Sequence, residues 1–385
     1  MENFTAYNPT RLHFGESIIN KLGTTVKQYG NRVLLVYGKG SVKKYGYYSS
    51  VVEELEAAVL EIFEYSGIKP NPIIEDVEKA TIIGKQNNVD VIVALGGGSV
   101  IDSAKIISLG IASNENPWDF MTWKLTPQKS IPLVTVLTLA ATGTEMNAAA
   151  VVQNHSTGQK VGYVNPLMFP KDSFLDPSFT VTVPKNYTSY GIVDLIAHSL
   201  EAFFGQGEPS VIDQITIDII KDAIQFGPLL MDDLTNVELR AKIMLDATLA
   251  LNGLTSYGKK SGDWGVHGLG HELSLLFDTP HGASLSIVYP AWLKLQKNRI
   301  PKRIIKLGQG LFDVYTVDDT INQLLAFFKK IGSPVSLNEI DIPYDSRARI
   351  IEQYKKNQIS GMHHSLSNND HEKIVDFMFL NKQLF

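Results

Sequence analysis

Short apolar runs alternate with helical stretches over the first third of the chain. Each run has the length of a buried strand, and strands that alternate with helices predict a doubly wound parallel sheet of the α/β class. The apolar runs are VLLVY (33–37), VLEIFEY (59–65), VDVIVAL (89–95) and LVTVLT (133–138). A helical stretch over about 16–29 precedes the first run, one that extends to about Ala58 follows GKGSVKKYG (38–46), and another covers about 75–88. Residues 4–14 predict a further short strand, with a hairpin as one option.

The pattern changes after residue 150. Short β-like pieces separated by turn residues continue to about 183, and the chain beyond reads almost wholly as helices. Pro184, Pro228 and Pro301 are expected at helix boundaries, because proline removes a backbone donor from a helix interior. We therefore predict an α/β domain over 1–181 and an all-α domain over 182–385.

Composition excludes several classes of function. Hydrophobic residues make up 44% and charged residues 19% of the 385 residues, an ordinary globular mixture. The net charge is −5 and no basic cluster accompanies aromatic residues, which argues against a nucleic-acid partner. No apolar run approaches about 18 residues, so no membrane span is expected. There is no cysteine, which excludes disulfides and thiolate ligands. We expect a cytoplasmic protein.

Two apolar helical stretches carry the candidate metal ligands. Asp194 and His198 lie four residues apart in YGIVDLIAHSLEAFF, so a helix places them on one face. His267 and His271 have the same spacing in GDWGVHGLGHELSLLF, and His281 follows Pro280 over a predicted turn. One carboxylate and up to four imidazoles suit Fe²⁺ or Zn²⁺. The alternative is a set of core residues that hydrogen-bond to each other.

Glycine-rich turns follow two of the predicted strands. Gly97, Gly98 and Ser99 open a helix, where free N–H groups and the helix dipole favour a phosphate. The alternative is a tight turn without a ligand. Gly38-Lys39-Gly40 begins like a dinucleotide fingerprint, but Lys43 stands where the third glycine is expected. Ser41, Lys43 and Lys44 could meet a 2′-phosphate or be solvated side chains.

Other chemistry-bearing residues receive no specific role from the sequence. His363, His364 and His371 are expected to face solvent. Trp264 is expected to pack in the core or to line a substrate cleft.

The chain resembles the iron-containing, or group III, alcohol dehydrogenases, and within them the branch of butanol dehydrogenases and NADPH-dependent aldehyde reductases. The resemblance extends over nearly the whole chain. It rests on YGKGSVKK, GIKPNP, GGGSVIDSAK, LTLAATGTEMN, FLDP, DLIAHSLE and GDWGVHGLGHELSLLFDTPHGASLSIVYP. The GGGSxxD element is shared with glycerol dehydrogenases and dehydroquinate synthases. The implied fold is a Rossmann-like sheet domain followed by a helical metal-binding domain, with the active site in the cleft between them.

The resemblance also implies a role for individual residues. Asp194, His198, His267 and His281 would bind the metal, and His271 and Asp102 would be catalytic residues beside the nicotinamide. NAD-preferring members tend to carry Asp where Gly38 stands, so NADP(H) is expected, with NAD(H) also usable. The residues expected to contact the cofactor are Gly38, Ser41, Lys43, Asn71, Gly97, Gly98, Ser99, Asp102, Thr138, Thr142 and Lys160.

The expected activity is hydride transfer between NADP(H) and a small primary alcohol or aldehyde, in a homodimer. A polyol or glycerol dehydrogenase on the same fold is one alternative. A non-catalytic NADP-binding redox sensor is another.

Overall fold

The four apolar runs form neighbouring strands of one parallel sheet in the computed structural model, which describes residues 1–380. The sheet has six strands in the order β1-β8-β5-β4-β2-β3. A separate antiparallel hairpin consists of β6 and β7. The strands are β1 (Arg11–Phe14), β2 (Arg32–Gly38), β3 (Glu61–Ile68), β4 (Val91–Gly96), β5 (Leu133–Leu137), β6 (Ala149–Asn154), β7 (Gln159–Val164) and β8 (Asp172–Leu175).

The central strands are buried on both faces. Leu34 and Ile92 point into one apolar cluster, and Leu35 and Val93 point into another on the opposite face. Alternate residues therefore supply the two faces of the sheet. This double burial explains why β4 and β5 do not alternate with polar residues and why Thr135 is the one polar side chain in β5.

Residues 4–14 supply a parallel edge strand of the main sheet and do not form the hairpin that was considered for them. β1 pairs in parallel with β8, beginning at Arg11 and Asp172. Parallel pairing needs a long connection, and here about 160 residues separate the two strands. The short FLDP piece thus joins the main sheet between β1 and β5.

Fifteen α-helices are assigned in the part of the chain that the structure describes. They are α1 (Leu22–Val26), α2 (Ser41–Lys44), α3 (Tyr47–Ala57), α4 (Ile74–Gln86), α5 (Gly98–Ile111), α6 (Pro117–Met121), α7 (Lys185–Phe204), α8 (Ser210–Asp232), α9 (Val237–Leu251), α10 (Gly265–Phe277), α11 (His281–Gln296), α12 (Pro301–Phe312), α13 (Val317–Lys330), α14 (Arg347–Lys356) and α15 (Asn368–Leu380). Within residues 1–380, no helix is long and apolar enough to cross a membrane.

The helix expected after GKGSVKKYG is α3, which begins after Gly46, whose φ of 84° lies in the left-handed region. Two other helix predictions need correction. The stretch 16–29 holds a 3-10 turn and the short α1 rather than one helix. Pro228 lies inside α8 and does not end it, because one missing backbone donor near the end of a long packed helix is tolerated. Pro184 and Pro301 do stand at helix starts.

Contacts divide the chain into two units. The α/β unit contains Tyr7–Val183 and Leu234–Thr248, and the helical unit contains Met1–Ala6, Pro184–Asp233 and Leu249–Phe385. The domain division near residue 181 stays a prediction from the sequence pattern.

Candidate active site

Helix α7 buries three side chains that can carry a charge. Asp194, His198 and Glu201 follow each other at intervals of four and three residues, so they share one face of the helix. Asp194 is 2% exposed and Glu201 is 1% exposed. Charged groups are seldom buried this far without a partner, so this face is the place to look for function.

Two further histidines approach Asp194 from neighbouring elements. His267 lies on α10, and His281 is the first residue of α11, after the turn that contains Pro280. Asp194 Oδ1 lies 3.8 Å from His267 Nε2, 3.6 Å from His281 Nε2 and 3.5 Å from His198 Nδ1. Ligand atoms of Asp194, His267 and His281 all fall within 4.8 Å of one another.

These atoms fit a metal better than a hydrogen-bonded core. The separations from Asp194 exceed the 2.7–3.2 Å that is typical of a hydrogen bond. Among the described residues, Asp194 Oδ1, His198 Nδ1 and His267 Nε2 are buried and have no hydrogen-bond partner. Buried polar atoms are normally paired. A cation held by one carboxylate oxygen and imidazole nitrogens would supply the missing partner.

Glu201 determines which nitrogen His267 offers. His267 Nδ1 lies 2.9 Å from Glu201 Oε1, which also accepts a hydrogen bond from the His267 backbone N–H at 3.0 Å. A proton on Nδ1 leaves the Nε2 lone pair directed toward Asp194. The sequence analysis missed Glu201, although its position three residues after His198 is a signal that the helix period could have supplied.

Burial and neighbouring carboxylates act in opposite directions on the two inner imidazoles. Burial lowers the pKa of His198 to about 4, so its ring is neutral near pH 7. Burial also opposes the charged form of His267, but hydrogen bonds and attraction from Asp194 and Glu201 raise its pKa to about 9. The surroundings of His267 thus favour positive charge, which is also what a cation would bring.

His271 lies beside this group and outside the set of three mutually close ligand atoms. Its ring centroid is 5.2 Å from that of His281 and 6.3 Å from that of His267. Trp264 precedes α10, and its ring centroid lies 5.4 Å from that of His267. Both His271 and Trp264 are partly exposed, so both are accessible to a substrate.

The three C-terminal histidines were expected to face solvent, and the structure gives each a partner. His363 Nε2 lies 2.6 Å from Ser261 Oγ, and His364 Nε2 lies 2.9 Å from the Phe204 carbonyl oxygen. His371 is 2% exposed and belongs to α15. The backbone N–H groups of His363 and His364 both donate to buried Asp263, which immediately precedes Trp264.

In the α/β unit, the predicted cofactor residues gather at the carboxyl edge of the sheet. Gly38, Gly96 and Leu137 end the adjacent strands β2, β4 and β5. The Thr138 N–H donates to the Gly96 carbonyl oxygen at 3.0 Å, which fixes Thr138 beside the turn before α5. Strand β3 lies on one side of β2, and the next strand along the chain, β4, lies on the other side. Ligands bind at such switch points in open α/β sheets.

The turn before α5 requires glycine because of space rather than backbone angle. A Cβ atom on Gly98 would lie 2.8 Å from Cγ2 and Oγ1 of Thr142, and one on Gly97 would lie 3.1 Å from Leu139 Cβ. The segment after β5 therefore packs directly against the first turn of α5.

Asp102 has both carboxylate oxygens engaged within the protein. Oδ1 accepts from Thr144 Oγ1 at 2.6 Å, and Oδ2 accepts from the Val151 N–H at 2.9 Å. Burial raises the pKa of Asp102, while attraction from Lys105 opposes this. These contacts fasten the segment between β5 and β6 to α5.

Lys105 is a second residue that the sequence analysis missed. It is fully buried and donates to Thr144 Oγ1 at 2.7 Å, Asn147 Oδ1 at 3.0 Å and the Ala149 carbonyl oxygen at 2.7 Å. Burial lowers the pKa of Lys105 to about 8. The helix period places it on the same face as Asp102, which is a usable sequence signal.

Two other predicted contacts have unexpected partners. Lys160 Nζ donates to Asn71 Oδ1 at 2.8 Å, so two residues 89 positions apart meet. Lys43 Nζ lies 3.9 Å from Glu64 Oε2 and 4.3 Å from the centroid of the Tyr48 ring. Ser41 begins the short helix α2, on which Lys43 also lies. The local sequence around Lys43 does not indicate a neighbouring acid, because Glu64 comes from β3.

Comparisons with known proteins cover the whole of this architecture. A family model described as "Iron-containing alcohol dehydrogenase" matches residues 9–177, and one described as "Fe-containing alcohol dehydrogenase family, C-terminal" matches residues 188–377. The probable NADH-dependent butanol dehydrogenase 1 of Bacillus subtilis is 40% identical over 379 residues, which cover 96% of this chain and 98% of that protein.

Two further relatives extend the comparison. The NADPH-dependent aldehyde reductase YqhD of Escherichia coli is 31% identical over 95% of this chain and 97% of its own. The crystal structure of NADH-dependent butanol dehydrogenase A from Thermotoga maritima superimposes with a TM-score of 0.95 at 36% identity. That match covers 98% of this chain and 99% of the other.

Proposed function

This chain belongs to the iron-containing alcohol dehydrogenase family, and on that premise we propose that it interconverts small primary alcohols and aldehydes of butanol-like size by hydride transfer. Family membership makes it an oxidoreductase that uses a nicotinamide cofactor and a metal. The observation that carries the proposal is the group of buried Asp194 and His267 with the partly exposed His281, whose nitrogens lie too far from Asp194 Oδ1 for hydrogen bonds.

The helical unit would hold the metal through Asp194, His198, His267 and His281. Fe²⁺ and Zn²⁺ both accept one carboxylate and several imidazoles, so the ligand chemistry admits either. When bound, the metal polarises the substrate oxygen, and the nicotinamide gives or takes the hydride. Asp194, His198 and His267 are buried, which would strengthen their electrostatic interaction with a cation.

The proton that accompanies hydride transfer needs a separate carrier. We assign this role to His271, because its ring lies beside His281 and is partly exposed. An imidazole can donate to the oxygen of a reduced aldehyde and recover a proton from solvent. His271 would therefore contact the reacting atoms without serving as a ligand.

The α/β unit would bind the cofactor at the carboxyl edge of its sheet. Gly97, Gly98 and Ser99 would present free N–H groups of α5 to the pyrophosphate. Thr138 and Thr142 would line the same crevice, and Lys160 with Asn71 would approach the cofactor from the segment around β7. Asp102 would act by holding Thr144 and the segment around it in place.

We propose NADP(H) as the preferred cofactor, with NAD(H) also accepted. Ser41 and Lys43 support a 2′-phosphate, and no acid stands at position 38. The pairing of Lys43 with Glu64 weakens this preference, because a 2′-phosphate must compete with the carboxylate for the ammonium group. The cytoplasmic location and the homodimeric state also remain part of this proposal.

Initial rates with butanal test the function. The protein is stripped with a chelator, reloaded without oxygen with Fe²⁺ or Zn²⁺, and assayed with NADPH and then NADH. We expect metal-dependent turnover that is lost in His281→Ala and kept in His155→Ala, which removes an exposed imidazole in the β6–β7 turn.

Other outcomes have distinct meanings. Turnover with NADH alone keeps the reaction and refutes the 2′-phosphate argument. A preference for glycerol over butanol supports a polyol dehydrogenase. Binding of metal and cofactor without turnover of any alcohol or aldehyde refutes the proposed reaction in favour of a redox sensor.

A further inference from the structure

Glu201 gathers three hydrogen bonds on one buried carboxylate. Oε1 accepts from the backbone N–H of His267 at 3.0 Å and from its Nδ1 at 2.9 Å. Oε2 accepts from the backbone N–H of Trp264 at 2.5 Å. All three donors lie at the start of α10, so Glu201 on α7 caps that helix and orients a side chain within it.

The first consequence concerns His267. Its Nδ1 donates to Glu201, and this contact turns Nε2 toward Asp194, where that nitrogen could be offered to a metal. Without the carboxylate, the ring could carry its proton on Nε2 or rotate, and both changes would remove the nitrogen offered to the metal.

The second consequence concerns Trp264. Its φ of 62° lies in the left-handed region, which a bulky aromatic residue rarely adopts. The bond from its N–H to Glu201 holds this conformation. The indole ring then lies 5.4 Å from the His267 ring and 6.3 Å from the His198 ring, measured between centroids. Because Trp264 is partly exposed, its indole forms a wall beside the two imidazoles.

We infer that Glu201 is a positioning residue that couples the metal-ligand geometry of His267 to the position of the Trp264 wall. The same carboxylate thus governs metal affinity and the room available for the alkyl chain of the substrate. This inference rests on the proposed function, since it requires that His267 bind the metal and that the substrate be an alcohol or aldehyde.

Glu201→Gln is the direct test, because the amide keeps the shape but has one acceptor oxygen for three donors. We expect the Kd for Zn²⁺, measured by competition with a chelator, to rise about 10- to 100-fold. The absorption spectrum of the Co²⁺-loaded protein should also shift, and the relative kcat/KM for butanal and for a branched aldehyde should change.

Glu272→Gln is the matched control. Glu272 is another buried carboxylate, five residues after His267 on α10, and it accepts hydrogen bonds from Gln353 and Asn357. Its substitution should leave the Kd for Zn²⁺ and the Co²⁺ spectrum unchanged. Trp264→Phe should keep metal affinity and alter only the ratio between linear and branched aldehydes, which separates the two consequences.

The outcomes distinguish this inference from the proposed function. Wild-type affinity and an unchanged Co²⁺ spectrum in Glu201→Gln, with butanal still reduced, overturn the inference and leave the function intact. A wild-type protein that binds no Zn²⁺ or Co²⁺ overturns both. If Glu201→Gln does not fold, Glu201→Asp takes its place. The shorter carboxylate keeps the charge but cannot reach both His267 and Trp264. Wild-type metal affinity in Glu201→Asp would therefore refute the coupling.

Discussion

Gly98→Ala tests whether the turn before α5 depends on the close approach of Thr142. The new methyl carbon would lie 2.8 Å from both Cγ2 and Oγ1 of Thr142, closer than carbon atoms tolerate. Threonine is β-branched and has few ways to move aside. Overpacking of this kind costs about 1–3 kcal/mol, so the free energy of unfolding of the α/β unit should fall by that amount.

The displaced Thr142 belongs to the crevice in which we propose that the pyrophosphate binds, so its shift should also weaken cofactor binding. If the displacement costs the bound state about 1–3 kcal/mol, the Kd for NADH or NADPH should rise about 5- to 150-fold. Binding is measured by energy transfer from protein tryptophans to the nicotinamide. Stability is measured by urea unfolding followed by circular dichroism.

Gly162→Ala is the control in the same unit. A Cβ atom there meets Val151 Cγ2 at 3.9 Å, which is ordinary contact, so stability and cofactor binding should each change by less than about 0.5 kcal/mol. In Gly98→Ala/Thr142→Ala the nearest Thr142 atom becomes Cβ at 3.4 Å. The stability loss should then be partly recovered, with a coupling energy of about 0.5 kcal/mol or more. If Gly98→Ala changes stability and cofactor binding no more than Gly162→Ala does, the turn before α5 does not depend on the close approach of Thr142.

Three further substitutions probe charges outside the metal group. Asp213→Asn should destabilise the helical unit by about 3–5 kcal/mol, because it leaves the buried Lys259 without its anion. Hydrogen bonds to Arg303, Lys259 and Lys306 outweigh burial and lower the pKa of Asp213 in the folded chain. The stabilisation is therefore present above about pH 4 and lost below it, and acid unfolding of the variant should depend less on pH. Lys105→Met should cost the α/β unit about 3 kcal/mol or more in urea unfolding, because three buried oxygens lose their donor. Burial lowers the pKa of Lys105 to about 8, so above pH 8 the folded chain binds fewer protons than the unfolded one, and wild type should gain stability relative to the variant as pH rises. Glu64→Gln should raise the ratio of kcat/KM for NADPH to that for NADH, because Lys43 loses a competing carboxylate; an unchanged ratio would exclude Lys43 from 2′-phosphate binding.

The central sheet is predicted well from the sequence because the composition of its strands reflects their burial. Strands buried on both faces are predominantly apolar, and the central parts of β2, β4 and β5 show this without reference to any other part of the chain. The spacing of Asp194 and His198 is equally local, since four residues make about one turn of a helix. The family resemblance adds the expectation that a sheet domain is followed by a helical domain.

Contacts between distant segments are where prediction from the sequence fails. Nothing in FLDP indicates that β8 lies between β1 and β5, because strand order depends on how the connections pack. Glu64 reaches Lys43 from another strand, and Glu201 reaches His267 across 66 positions. His267 and His271 have the same local pattern, so only their position relative to Asp194 distinguishes them.

The distances around Asp194 argue against a hydrogen-bonded core as the explanation of this group. A core of paired polar residues would bring Asp194 Oδ1 within about 3 Å of at least one nitrogen. Three nitrogens instead lie between 3.5 and 3.8 Å away, at nearly equal separations. Ligand atoms at about 2.1 Å from one tetrahedral metal ion are about 3.4 Å apart. Mutual repulsion alone would separate the groups, but it would not leave a buried carboxylate oxygen facing three imidazoles, because each unpaired group costs folding free energy. The spacing therefore matches that of ligands around a cation, and we propose that the contact with Glu201 orients His267 within this group.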